Sequence, residues 1–167
     1  GPARGVLLAL TLTAEAAGCS RARPAAPAAV PPESAPPAEL SLPEVAGFVA
    51  AAPEPGDGFV RRGYLRDRAR VQVTLARTPM SADDYQRWQS ASAGFPQADL
   101  GLPAADANGF YQCEEGPKPS CDLLIQLRSG FHFELRGGGT TSRADVDALA
   151  RGLPLRAWSA ALPAIGR

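Results

Sequence analysis

The apolar positions of this chain change period along its length, and each change marks an element. From Arg70 to Ala76 they alternate, with Val71, Val73 and Leu75 on one side and Arg70, Gln72 and Thr74 on the other. A period of two predicts a strand with one buried face. Phe59 to Arg68 is a strand candidate immediately before it. Leu123, Ile125 and Leu127 alternate with polar neighbours, and Phe131, Phe133 and Leu135 alternate with His132, Glu134 and Arg136. The period lengthens in two places. Tyr85, Trp88 and Ser92 form one stripe, and Val146, Leu149, Ala150 and Leu153 form another. Both stripes have helical spacing. Each follows a serine with an aspartate three residues on, Ser81 with Asp84 and Ser142 with Asp145. That pattern predicts a reciprocal cap at the helix start.

Parity fixes how the later strands pair. A two-residue turn at Ser129-Gly130 would set Leu127 opposite His132 and mix the two faces. A three-residue loop, Arg128-Ser129-Gly130, sets Leu127 opposite Phe131 and Ile125 opposite Phe133, so the apolar sets share a face. Gly130 then stands where a left-handed residue is needed. The same test upstream puts Cys113 opposite Cys121 and Tyr111 opposite Leu123. A disulfide across that hairpin is expected, with a polar, exposed tip from Glu114 to Ser120. The fold class is α+β: an antiparallel sheet of about five strands with two helices packed on one face, in the order ββαβββα.

The N-terminal part has none of this patterning. Arg4 precedes a short apolar run, Val6 to Leu12, followed by Ala14-Glu15-Ala16-Ala17-Gly18-Cys19. The run has signal-peptide length, far short of the ~20 residues a spanning helix needs. The segment resembles the lipobox of bacterial lipoproteins. That resemblance implies cleavage before Cys19 and lipidation of Cys19. An ordinary signal cut after Ala16 is the alternative. Ser20 to Glu44 is rich in Pro and Ala, which predicts an extended, polyproline-like tether. The expected organisation is a signal over 1–18, a lipid-anchored linker over 19–55 and one domain over 56–167. Leu42 to Ala52 is apolar enough to pack on that domain. With Cys113 and Cys121 paired, Cys19 is the odd cysteine, as lipidation would leave it.

Charge and candidate chemistry alter this picture little. The 167 residues carry 17 Lys+Arg and 17 Asp+Glu, so nothing electrostatic favours nucleic acid. His132 is the single histidine, and with Glu134 it is the nearest approach to an acid–base pair. The cysteines are assigned to a disulfide and a lipid, and no cluster has metal-ligand spacing. No cofactor or metal is expected. The run Arg61, Arg62, Arg66, Arg68 and Arg70 is the strongest local feature. If one strand runs unbroken through it, Arg62, Arg66, Arg68 and Arg70 share a face. Together with His132 and Glu134 they make the expected interaction surface. The chain therefore reads as an exported, membrane-anchored binding domain facing the periplasm, its partner an envelope protein or polymer, and not as an enzyme. The alternative is a small periplasmic inhibitor or immunity-type protein.

Overall fold

A computed structural model describes residues 40–161. The expected signal, Cys19 and most of the Pro/Ala-rich linker lie outside the described residues. The described part is α+β, with seven strands and three helices. The strands are β1 (Val49–Ala50), β2 (Glu54–Gly56), β3 (Phe59–Arg66), β4 (Ala69–Arg77), β5 (Ala107–Glu114), β6 (Ser120–Leu127) and β7 (Phe131–Gly139). The helices are α1 (Ala82–Ser92), between β4 and β5, and α2 (Arg143–Gly152) and α3 (Leu155–Ser159) at the end. All pairings are antiparallel, in the order β1-β3-β4-β7-β6-β5, with β2 also on β3.

The sequence parity holds in the second half of the sheet. Ile125 faces Phe133, Tyr111 faces Leu123, and Cys113 faces Cys121. Cys113 and Cys121 form a disulfide, their Cα atoms 4.0 Å apart. Gly130 has φ 90°, its N–H donates to the Leu127 carbonyl at 3.0 Å, and its carbonyl accepts from Thr78 at 2.9 Å. Both reciprocal caps are formed, Ser81 with Asp84 and Ser142 with Asp145.

Val71, Val73, Leu75, Leu123, Ile125, Phe133 and Leu135 make one buried face of the sheet. Val146, Leu149, Leu153, Leu155 and Trp158 belong to the same core. Leu42 and Val45 join it too, as expected of the apolar segment from Leu42 to Ala52. Glu54–Gly56, despite its Pro and Gly, forms a short edge strand on β3. That is a tolerated position, because an edge proline loses no ladder bond.

The expectation of two helices on one face is corrected. Helices α2 and α3 cover the face just described, whereas α1 lies on the other. Its Trp88 ring meets Phe110 at 5.5 Å and His132 at 5.7 Å between centroids, and both residues belong to the opposite set. The reason is the composition of that second face. Phe110, Leu124 and the His132 ring leave enough apolar surface near β5 to bury a helix stripe.

Candidate functional site

The register defines rows of side chains across the second face. One row is Phe59, Ala76, His132, Gln126 and Asn108; the next is Arg61, Thr74, Glu134, Leu124 and Phe110. Helix α1 sits over the β5–β7 end of these rows. The Trp88 Nε1–H donates to Asn108 Oδ1 at 3.1 Å, and the Ser92 hydroxyl donates to the same oxygen at 2.8 Å. The remaining rows are Gly63, Gln72 and Arg136, then Val49, Leu65, Arg70 and Gly138.

These last rows, with Ala51, line an open cleft of about 620 Å³ on β1, β3, β4 and β7. Its floor is largely apolar. Val49 is 72% exposed and Leu65 40%, two of the three large hydrophobics that are exposed among the described residues. Gln72, Arg70 and Arg136 are its polar side chains, and no carboxylate lines it. Arg136 is held by Glu134, whose carboxylate accepts from Nε at 2.7 Å and pairs with the guanidinium at 2.6 Å. The Arg70 backbone is pinned by the buried Thr141 hydroxyl, which accepts from its N–H at 3.1 Å and donates to its carbonyl at 2.9 Å. The Arg70 side chain stays exposed.

The expected interaction surface is not brought together. The chain reverses at Asp67-Arg68, with Arg66 opposite Ala69, so parity resets between Arg66 and Arg70. Asp67 takes φ 54°, a turn conformation without the usual Gly or Asn signal. Arg62 and Arg66 consequently fall on the face covered by α2 and α3. Arg62 donates to the carbonyls of Ala51 at 2.7 Å and Leu42 at 2.6 Å, tying down the N-terminal segment. Arg66 pairs with Asp145 at 2.6 Å and lies over the Phe48 ring. Burial pushes the Asp145 carboxyl up, but donors from Arg66 and Ser142 outweigh it and hold the group below the usual range. Arg68 is exposed in the turn. Of the six expected surface residues, Arg70 alone lines the cleft, and Glu134 reaches it only through Arg136.

His132 packs beneath Trp88, and its Nδ1 lies 3.2 Å from Gln126 Oε1. Burial lowers its pKa from 6.5, with the Glu134 charge opposing. A folded pKa below the unfolded value means that the unfolded chain takes up the proton first. The stabilisation from neutral His132 is complete above pH 6.5 and is lost as pH falls through the folded value. The urea midpoint of the wild type should therefore drop more between about pH 7.5 and pH 5.5 than that of His132→Gln. Parallel curves for the two proteins would show that His132 is not desolvated under α1.

A second concavity lies beside the disulfide hairpin, lined by Phe95, Tyr111, Glu114, Asp122 and Arg143 among others. The Tyr111 hydroxyl donates to Asp147, and the Arg143 guanidinium lies 3.9 Å over the Tyr111 ring centroid. Burial first, then the Asp147 hydrogen bond, push the Tyr111 hydroxyl up to about 12. The phenol stays protonated, which suits a structural clasp between β5 and α2.

The cleft residues Gly63, Leu65, Gln72, Arg136 and Gly138 were missed in the sequence. The available signal was a glycine inside a strand of bulky residues, which often marks close approach of something else. No protein-family model, curated protein or solved structure matches this chain.

Proposed function

We propose that this chain is an exported, non-catalytic binding domain, tethered to a membrane by lipid at Cys19 and held off it by the Pro/Ala-rich segment. Its partner is a component of the cell envelope, a protein or polymer. The observation that carries the binding reading is the uncovered part of the second sheet face, where Leu65 and Val49 stand exposed beside Arg70 and Arg136. A continuous apolar patch rimmed by polar groups costs solubility, which is a reason to expect an occupant.

The test is capture from envelope extract by the full-length chain, compared with Leu65→Glu. The wild type should retain a partner that the variant loses. Equal recovery with both, or none with either, would overturn the assignment of this face. The tether is tested separately by fractionation, in which Cys19→Ser should leave the membrane fraction.

A second reading, a small inhibitor or immunity-type protein, is favoured by the hairpin. Residues 112–119 are all exposed, and the disulfide pins their base. Under that reading, changes at Glu114, Glu115 and Lys118 would abolish capture while Leu65→Glu would not.

A further inference from the structure

Gly63 and Gly138 raise a question that the fold itself does not answer. Glycine inside a strand is a stability cost, because it loses more backbone freedom on folding and packs no side chain. Elsewhere in this sheet the reason is visible. A Cβ at Gly137 would lie 2.5 Å from the Cys121 carbonyl oxygen and 2.8 Å from Thr141 Cγ2. At Gly63 a Cβ would meet only Ala51 Cβ at 3.7 Å, and at Gly138 only the Arg70 carbonyl oxygen at 4.0 Å. Neither residue has a left-handed φ. Backbone and packing would therefore both accept a β-carbon at each position. What a side chain would remove is the cleft, since both glycines line it.

The cleft has the size of a small-molecule site, within the ~300–1,000 Å³ typical of such sites. Its chemistry narrows the ligand. The floor is apolar, with Leu65 and Val49 alongside, and its lining charges are the guanidiniums of Arg70 and of Arg136, the latter already paired with Glu134 outside the lining. In a chain of zero formal net charge, that segregation is local. The amides of β3, β4 and β7 are committed to the sheet. A peptide laid across this floor would bury its own amides with few partners, whereas a hydrocarbon chain has none to satisfy. A planar guanidinium is suited to a carboxylate in two-point contact.

We propose that the cleft binds a single-chain anionic amphiphile, a fatty-acid-like carboxylate. Its hydrocarbon lies over Gly63, Gly138 and Leu65, and its head group meets Arg70, with Arg136 beside it. This assignment rests on the reading that the open sheet face is the binding surface, and it adds a small ligand seated in the cleft to the envelope protein or polymer proposed for that face.

The test is calorimetric titration of the full-length chain with dodecanoate below its micelle concentration. Saturable one-to-one binding is expected, with dodecyltrimethylammonium weaker by about tenfold or more. Arg70→Gln should weaken dodecanoate binding by a similar factor. Gly63→Val should abolish it while leaving the unfolding midpoint equal or higher, an outcome that a purely structural glycine would not give. Should Gly63→Val unfold, Gly138→Val provides the same reading from the other side of the cleft. No saturable binding, undiminished binding in these valine variants, or adsorption only to anionic phospholipid vesicles would overturn the proposal. If dodecanoate fails but Leu65→Glu still abolishes envelope capture, the amphiphile assignment falls and the binding face stands. If both fail, both fall.

Discussion

Replacing Trp158 with alanine should remove about 3–5 kcal/mol of stability, the usual cost of deleting a large aromatic from a close-packed core. Trp158 is 1% exposed. Its ring centroid lies 5.0 Å from Phe133 and 6.3 Å from Phe131, so it joins α3 to the centre of the sheet. Its carbonyl also accepts from the buried Ser129 hydroxyl at 2.7 Å, which ties α3 to the β6–β7 loop. A loss of this size is a large share of the ~5–15 kcal/mol that holds a typical domain together. Trp158→Phe should be milder, because a phenyl ring keeps much of the packing and leaves a smaller cavity. The indole N–H is buried with no hydrogen-bond partner among the described residues, so removing it relieves a desolvation penalty. Urea denaturation of the two variants checks this. Equal losses would mean that the N–H is satisfied and that the penalty argument fails.

The contrast between Trp158 and Trp88 shows where the sequence was legible and where it was not. The C-terminal stripe through Leu153 announced a core helix, and Trp158 packs in the same core just after it. The stripe Tyr85, Trp88, Ser92 has the same period, but period reports only that a helix has a buried side. It cannot say which face of a sheet receives that side. A sheet with Phe110 and Leu124 on its nominally polar face can receive helices on both.

Register was legible in β5, β6 and β7 because a one-residue slip there would have turned every apolar side chain outward. In β4 the alternation of Val71, Val73 and Leu75 holds, but the stretch leading into it through β3 was not legible. Arg62, Gly63, Arg66 and Arg68 offer no clean alternation, and Asp67 is followed by Arg68 rather than by the glycine that would make a hairpin turn legible. The shared face of Arg62, Arg66, Arg68 and Arg70 depended on one strand running unbroken through this stretch, and the reversal at Asp67-Arg68 removes that condition. Arg62 and Arg66 instead spend their charge inside the fold, on carbonyls and on Asp145. The cleft went unread because it is defined by side chains that are missing, at Gly63 and Gly138. A pattern of apolar and polar positions does not register an absence.

Replacing the disulfide, as Cys113→Ser with Cys121→Ala, should cost about 2.5 kcal/mol, the loop-closure entropy returned to the unfolded chain. The two cysteines are eight residues apart in sequence, a short loop, so the gain is at the modest end for a disulfide. Alanine is the better choice at 121 because that side chain is 2% exposed, and a hydroxyl there would add a buried polar group. Cys113 is exposed, so a reducing agent can reach the bond in the intact fold. The reduced wild type and the double variant should thus unfold at the same lowered urea midpoint. A shift under about 0.5 kcal/mol would mean that pairing between β5 and β6 already restrains the hairpin in the unfolded ensemble. The measurement also bears on where the chain works. If the domain needs this bond to stay folded at its working temperature, it must mature in an oxidising compartment. Export, the expectation from the N-terminal sequence, would then also be a condition of the domain's stability.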